Sequence, residues 1–485
     1  MTARQLIDLL ADPGSFTCWD EPLGPPPADP GYRAALERAR ERTGLDEAVT
    51  TGCALLAGHP VALVASEFGF LGGSIGVATA ERITRAVERA TAERLPLVAL
   101  PVSGGTRMQE GAAAFLCMVR ITAAVHAHRA AGLPYLTYLR NPTMGGVFAS
   151  WGTLGHLVLA EPGARLGFLG PRVYEELRGE PLPPDVQRSE TLLGRGLVDA
   201  VVPPERLREV LRGALAVLTA RPTAPAAPSA AAEPAAEPAT AGDAWESVLR
   251  SRRPDRIGAR ELLRRTAEEL VLLGGDGALV HGLAVIGGQP VLVAGQQRRS
   301  PGGPARPFTA ADLRAVRRWA QAAEELGLPL LTLVDTAGAE LSVRAELDGI
   351  AVEIAHCLHT LVALRTPVVA VLLGQGSGGG ALALLPADRV IAAEHAWLAP
   401  LPPEGASAIV HRDGTQAPAL ARTQGIRAHD LAAAGLIDHT VPETPAAGFP
   451  ARLTTAVATA LAHLTALPLP DLLALRTTRT RHLGG

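Results

Sequence analysis

The chain has 485 residues, a formal net charge of -3 and four cysteines. That length suggests two to three domains, each able to bury a core, and the charge argues against a nucleic-acid partner, since phosphate-neutralising proteins carry a basic excess. Cys18, Cys53, Cys117 and Cys357 are scattered with no C-x-x-C spacing; this fits a reducing cytosol, so a cytoplasmic location is expected and a zinc ribbon built from this chain is excluded.

In chain order, the N-terminus lacks an apolar run long enough for a signal peptide. Pro22 to Pro30 is a proline-rich connection, and Tyr32 to Thr43 reads as a charged helix. Strands are expected at Cys53-Ala-Leu-Leu and Val61-Ala-Leu-Val-Ala, joined by a hairpin-like turn at Ala57-Gly-His. Ala80 to Arg94 has helical spacing of apolar residues. Leu97 to Val102 is a buried-type strand ending at Ser103-Gly104-Gly105; Ala112 to Ala131 is a helix; Tyr135 to Leu139 is a strand ending at Asn141-Pro-Thr-Met-Gly145-Gly146. Ala224 to Asp243 is almost wholly Ala, Pro, Glu, Ser and Thr and reads as a linker. Beyond it the order recurs, with a strand at Leu330 to Val334 ending at Asp335-Thr-Ala-Gly338. A helix over Glu346 to Ala363 follows, then a strand at Val368 to Leu373 running into Gly374-Gln-Gly-Ser-Gly378-Gly379-Gly. Val368 to Leu385 comes closest to a membrane span, but those glycines interrupt it, so no membrane association is expected. Alternating strands and helices indicate parallel pairing with crossover helices. The expected domains are 1–219 and 246–485, with 220–245 between them.

The recurrence is a duplication. An offset of 233 positions carries Leu95 to Leu328, Gly105 to Gly338, Pro134 to Pro367 and Gly145-Gly146 to Gly378-Gly379, without a gap. The period is too long for a solenoid, and two copies of one domain fold is the simpler reading. The chain has no lysine. A Schiff-base mechanism and a P-loop are therefore excluded, and any biotin must ride on another protein.

Each copy places glycines just after two successive strands. Glycine there permits positive φ and close backbone approach, and first-turn N–H groups of the following helix point into the cleft. Two such turns side by side make an oxyanion hole. No Ser-His-Asp order or metal-ligand spacing is present.

These residues sit in longer words. The N-terminal copy carries Glu67-Phe-Gly-Phe-Leu-Gly-Gly-Ser-Ile-Gly, Ser103-Gly-Gly-Thr-Arg-Met-Gln-Glu, Asn141-Pro-Thr-Met-Gly-Gly-Val, Gly167-Phe-Leu-Gly-Pro-Arg-Val and Gln187-Arg-Ser-Glu. It resembles the β subunit of bacterial acetyl-CoA carboxylase carboxyltransferase over about 14 to 202. The C-terminal copy, with Asp335-Thr-Ala-Gly-Ala, Gly374-Gln-Gly-Ser-Gly-Gly-Gly-Ala and Pro403-Glu-Gly-Ala-Ser, resembles the α subunit over about 276 to 442, more loosely. The resemblance implies two tandem crotonase-like ββα superhelix domains. It implies carboxyl transfer from carboxybiotin, held on a biotin carboxyl carrier protein and charged by a separate biotin carboxylase, to acetyl-CoA, giving malonyl-CoA. It assigns Gly145 and Gly146, with Gly104 and Gly105 beside them, to the thioester enolate oxygen. Gly378 and Gly379, with Gly338 nearby, go to the ureido oxygen of biotin. Arg107 either meets a CoA phosphate or structures the helix start; Arg172 is an anion-site candidate. Glu110 is read as serving a helix dipole, Glu404 as structural, and His126 and His128 as surface or satisfied residues. A homodimer or larger is implied, with the N-terminal domain of one copy facing the C-terminal domain of another.

The chain departs from the pattern in three places, one being the basic stretch before the first helix of the α-like half, which is eroded to Pro304-Ala-Arg-Pro-Phe-Thr-Ala-Ala. The four-cysteine zinc ribbon that usually begins the β subunits is missing, so no zinc is expected. The usual Thr-Pro-Gly-Ala-Tyr-Pro-Gly of the α subunits reads Thr336-Ala-Gly-Ala-Glu-Leu-Ser here, which bears on acceptor identity and on the hold on carboxybiotin. A malonyl-thioester decarboxylase-type relative and a catalytically silent subunit stay open as alternatives.

Overall fold

The computed structural model describes residues 1–22, 24, 28–223, 243–275, 277–298 and 306–479. Most of the expected linker lies outside them. The chain divides into two compact units, Met1–Ala216 and Val217–Gly485. The division falls inside the helix Pro204–Leu218, a few residues before the expected end of the first domain.

The first unit is built on a seven-stranded sheet. Its strands are β1 (Thr17–Cys18), β2 (Val49–Leu56), β3 (His59–Ser66), β4 (Leu97–Leu100), β5 (Tyr135–Leu139), β7 (Leu157–Ala160) and β9 (Ala200–Val201), in that spatial order. The short β6 (Thr143–Met144) and β8 (Leu166–Gly167) pair apart from it. β2 and β3 form the expected hairpin, with Ala57 and Gly58 both at positive φ in its tight turn. From β3 onward all pairs are parallel. Every residue of β4, β5 and β7 is buried, which is why their sequences are apolar runs rather than alternations. The crossover helices are α3 (Val77–Ala92) and α4 (Gly111–Ala130), after α1 (Ala3–Leu10) and α2 (Pro30–Thr43). Ile83, Val87, Met118, Ile121 and Val125 from α3 and α4 close a core with Val64, Ala99 and Tyr135.

The second unit repeats this plan. β10 (Glu269–Leu273), β11 (Leu279–Ile286), β12 (Gln289–Gln296), β13 (Leu330–Thr336), β14 (Val368–Ser377), β15 (Arg389–Ala393) and β17 (His439–Val441) form the sheet, and β16 (Trp397–Ala399) pairs with β14. The register repeats too: Leu97 lies opposite Tyr135, and Leu330 opposite Val368. Two expectations change. The helix expected over 346–363 is two helices, Val343–Leu347 and Ile350–Ala363, because Gly349 between them takes a left-handed φ of 75°. The apolar run from Val368 is a strand buried along its whole length as far as Ser377. The one helical stretch long and apolar enough to cross a membrane by length and composition is instead Met108–Ala130, among the described residues.

His128 on α4 is satisfied in the core, as expected. Its Nδ1 lies 3.0 Å from Thr91 Oγ1 and its Nε2 3.2 Å from the Pro134 carbonyl. Burial lowers its pKa from 6.5 to about 4. As pH falls, the unfolded chain takes up this proton first. Stability is therefore lost from about pH 6.5 down to about pH 4, at up to about 1.4 kcal/mol per pH unit. His128→Gln removes this contribution, and urea titrations at pH 7 and pH 5 read it directly. An unchanged acid slope in the variant would refute the assignment.

Candidate active site

The bends after β4 and β5 are stitched together. Ser103 N–H donates to the Pro142 carbonyl at 2.7 Å and Met144 N–H to the Ser103 carbonyl at 2.8 Å. Gly105 and Gly145 have φ of 118° and 61°, a region that L side chains rarely adopt. A Cβ on Gly145 would lie 3.4 Å from Gly105 Cα, so the two bends touch. Gly145 and Gly146 open the one-turn helix α5 (Gly145–Phe148), whose first amides have no acceptor within the helix.

The first bend holds its own shape. Gly105 N–H donates to Ser103 Oγ (3.0 Å), whose hydroxyl donates to the Gly105 carbonyl (3.2 Å). Gly104 N–H donates to the Gly72 carbonyl at 2.8 Å. The carbonyl of Ile75 accepts from Arg107 N–H, and its N–H donates to the Gly105 carbonyl, both at 2.9 Å. Between these bonds, Thr106 N–H meets no acceptor among the described residues.

The second unit builds the same bend. Gly338 N–H donates to Thr336 Oγ1 (3.1 Å), and that hydroxyl donates to the Gly338 carbonyl (3.0 Å). Glu340 N–H donates to the Phe308 carbonyl at 2.9 Å, and Ala339 N–H meets no acceptor among the described residues. Gly338 and Gly378 have φ of 137° and 63°. Gly378 and Gly379 open the short helix Gly378–Leu382. A Cβ on Gly380 would lie 3.0 Å from Ala339 N, so glycine alone lets this helix approach the bend. A cavity of about 260 Å³ opens at Gly338, lined also by Gln296, Arg298, Arg306, Phe308 and Asp335. Asp335 is buried beneath it, accepting from Gln375 N–H (3.0 Å), with Arg298 Nε at 3.7 Å. Burial raises the Asp335 pKa, and Arg298 opposes the rise.

The sequence-derived assignments are therefore redistributed. Gly145 and Gly146 meet Gly104 and Gly105 in one unit, and Gly378 and Gly379 meet Gly338 in the other. The amides of Gly104, Gly105 and Gly338 are already taken, whereas those of Thr106 and Ala339 meet no acceptor among the described residues. Of the two roles read for it, Arg107 has the surroundings of the structural one. It is 1% exposed, and its guanidinium is bound by Glu47 (2.5 and 3.0 Å), the Ser74 carbonyl (2.8 Å) and Tyr32 Oη (3.2 Å), not offered to a phosphate. Burial would lower its pKa, but Glu47 outweighs this and raises it. Glu110 accepts from Val77 N–H at 2.5 Å and so caps α3, not the helix it precedes. It also accepts from Tyr32, whose pKa burial and that bond push up to about 12. Arg172 lies in the first turn of the helix Pro171–Arg178; its side chain is outside the described residues. Glu404 is paired with Arg252 at 2.5 and 3.0 Å, a structural role. Sequence reasoning missed Thr106, Ala339 and Arg298, and met Arg306 only as part of the eroded basic stretch. The aligned pair Thr106 and Ala339 was visible in the repeat.

The two units share one fold plan, and each ends two strands in mated glycine bends. Residues 1–446 match the carboxyl transferase domain family, and the chain belongs to it. It is 54% identical, over all of its length and 99% of the relative's, to a probable biotin-dependent acyl-coenzyme A carboxylase beta3 subunit of Mycobacterium tuberculosis. It is 42% identical, over all of its length and 91% of the relative's, to acetyl-coenzyme A carboxylase carboxyl transferase subunits beta/alpha of Salinispora arenicola. A transcarboxylase 12S structure with hydrolysed methylmalonyl-coenzyme A bound shares the fold, with a TM-score of 0.74 and 21% identity over 96% of this chain and 89% of that one.

Proposed function

We propose that this chain is the carboxyltransferase component of a biotin-dependent acyl-CoA carboxylase, with acetyl-CoA as acceptor and malonyl-CoA as product. The observation that carries this reading is the repeated bend, with an open amide at the same place in each unit. Carboxylating a thioester puts negative charge on its oxygen as the α carbon loses its proton. The Thr106 and Gly146 amides are placed to stabilise that charge, and loss of one such donor costs roughly 10²–10³ in kcat. In the second unit the Ala339 and Gly379 amides offer the same to the ureido oxygen of biotin, and Arg306 lines the cavity at Gly338 beside the Arg298–Asp335 pair. Carboxybiotin, brought by a carrier protein, would supply the carboxyl group and, having released it, a base for the α proton. The chain offers no lysine to carry biotin itself. A biotin carboxylase and a carrier protein are its partners in the cytoplasm.

Incubating the pure protein with malonyl-CoA and biocytin tests this. Acetyl-CoA formation that requires biocytin supports it. Biocytin-independent release of CO2 points to a decarboxylase, and no turnover to a silent subunit.

We further propose a homodimer or larger. Phe115, Leu116 and Val119 stand exposed on α4, and Val343, Leu347 and Val352 on the corresponding helices of the second unit. Water-exposed apolar faces of this kind mark association sites. The sedimenting mass should exceed the 50.3 kDa of one chain, and Leu116→Glu should shift it towards monomer. A fully active wild-type monomer would sink this arrangement.

A further inference from the structure

The two bends agree in almost every respect. The hydroxyl of Ser103 or Thr336 closes the same ring, Gly145 and Gly378 have φ of 61° and 63°, and the bridging bonds to Ile75 and Phe308 are both 2.9 Å. They differ where the open amide lies: the residue is Thr106 in the first unit and Ala339 in the second. The Thr106 hydroxyl is not remote from the reaction. Its Oγ1 lies 3.3 Å from the point a Cβ on Gly146 would occupy, with Met118 Cγ at 3.3 Å beside it. Thr106 is half-buried, and its hydroxyl makes no hydrogen bond among the described residues. A hydroxyl rotates its proton to suit an acceptor, and here it belongs to the residue with one open amide and lies 3.3 Å from the Cβ position of Gly146, which carries the other.

Charge supplies the reason for the difference. In the second unit Arg306 lines the cavity at the bend, beside an Arg298 that is paired with buried Asp335. In the first, the guanidinium that follows the bend, Arg107, is spent on buried Glu47. An oxyanion there has uncharged donors to rely on, and a third would add to two.

Resting on the carboxyltransferase reading, we propose that the Thr106 hydroxyl is a third donor to the acyl-thioester oxygen, beside the Thr106 and Gly146 amides, and so a catalytic residue of the acyl site. The hydroxyl keeps its proton throughout and makes no covalent bond. It stabilises the charge that collects on oxygen as the thioester becomes an enolate. It has no counterpart at the biotin site.

Thr106→Val keeps the shape and removes the donor, and Thr106→Ser keeps the donor. With malonyl-CoA and biocytin, Thr106→Val should lower kcat roughly tenfold to a hundredfold, at or below the range seen for a lost oxyanion-hole donor. The KM for biocytin should stay as in wild type, and Thr106→Ser should recover most of the rate. The same split in kcat should appear in the forward direction with acetyl-CoA. Wild-type rates in Thr106→Val, or equal losses in the valine and serine variants, overturn the proposal and leave the enzyme's assignment standing. An inert wild-type protein overturns the assignment, and the proposal with it.

Discussion

Valine at Gly145, and separately at Gly378, is expected to lower carboxyl transfer at least about 10²-fold in an otherwise folded protein, since misplacement of reacting groups by about 1 Å costs that much. Both glycines sit at left-handed φ, 61° and 63°, where a β-branched residue is a genuine outlier. At Gly145 the added Cβ also meets Gly105 Cα at 3.4 Å, and at Gly378 the Pro400 carbonyl at 3.3 Å. The backbone must move, and the first amides of the following helix move with it. Alanine is the gentler change, at about 1–2 kcal/mol of left-handed strain. The pair of variants also separates mechanisms. Transfer between two ligands needs both bends, whereas decarboxylation without biotin needs the first alone. Full malonyl-CoA turnover by Gly378→Val, with biocytin dependence gone, would contradict the transfer mechanism. Steady-state rates and circular dichroism on the two variants decide it.

Arg107→Met is expected to destabilise the first unit by roughly 3–5 kcal/mol, the usual result of removing one partner from a buried ion pair. Glu47 is 2% exposed and Arg107 1%, so the variant strands a carboxylate that still needs Thr79 and the Ala48 amide. The loss is not a measure of the pair's own worth, which is offset by the desolvation of two charges. Removing both, as Glu47→Gln with Arg107→Met, should therefore recover part of the stability. Urea unfolding of the single and double variants gives the comparison; a double variant weaker than the sum of the singles would rule this account out. Because Arg107 follows Thr106 directly, the single variant should also lose activity before it unfolds.

The alternation of strands and helices, the hairpin at Ala57-Gly58 and the duplication were legible because each rests on local pattern: apolar runs, turn residues and glycines at a constant offset. The helix break at Gly349 was legible in principle, as a glycine within a helical pattern, and was passed over. What stayed hidden was which amides are spent. A serine or threonine two residues before each glycine, Ser103 before Gly105 and Thr336 before Gly338, is the signature of a side chain closing its own turn, and that short bond decides which donor is left. Arg107 was hidden for another reason. Its partners Glu47 and Tyr32 lie far back in the chain, and only the fold brings them beneath the bend.

Helix α4 does two jobs on two flanks. On one, Met118 packs against Gly146, its Cγ 3.3 Å from where a Cβ there would lie. On the other, within a turn of it, Phe115, Leu116 and Val119 face water. Whatever settles on the outer flank leans on the same rigid rod that shapes the inner one. Simple dilution would then act on this enzyme as an inhibitor does, and its specific activity would depend on how much of it is present.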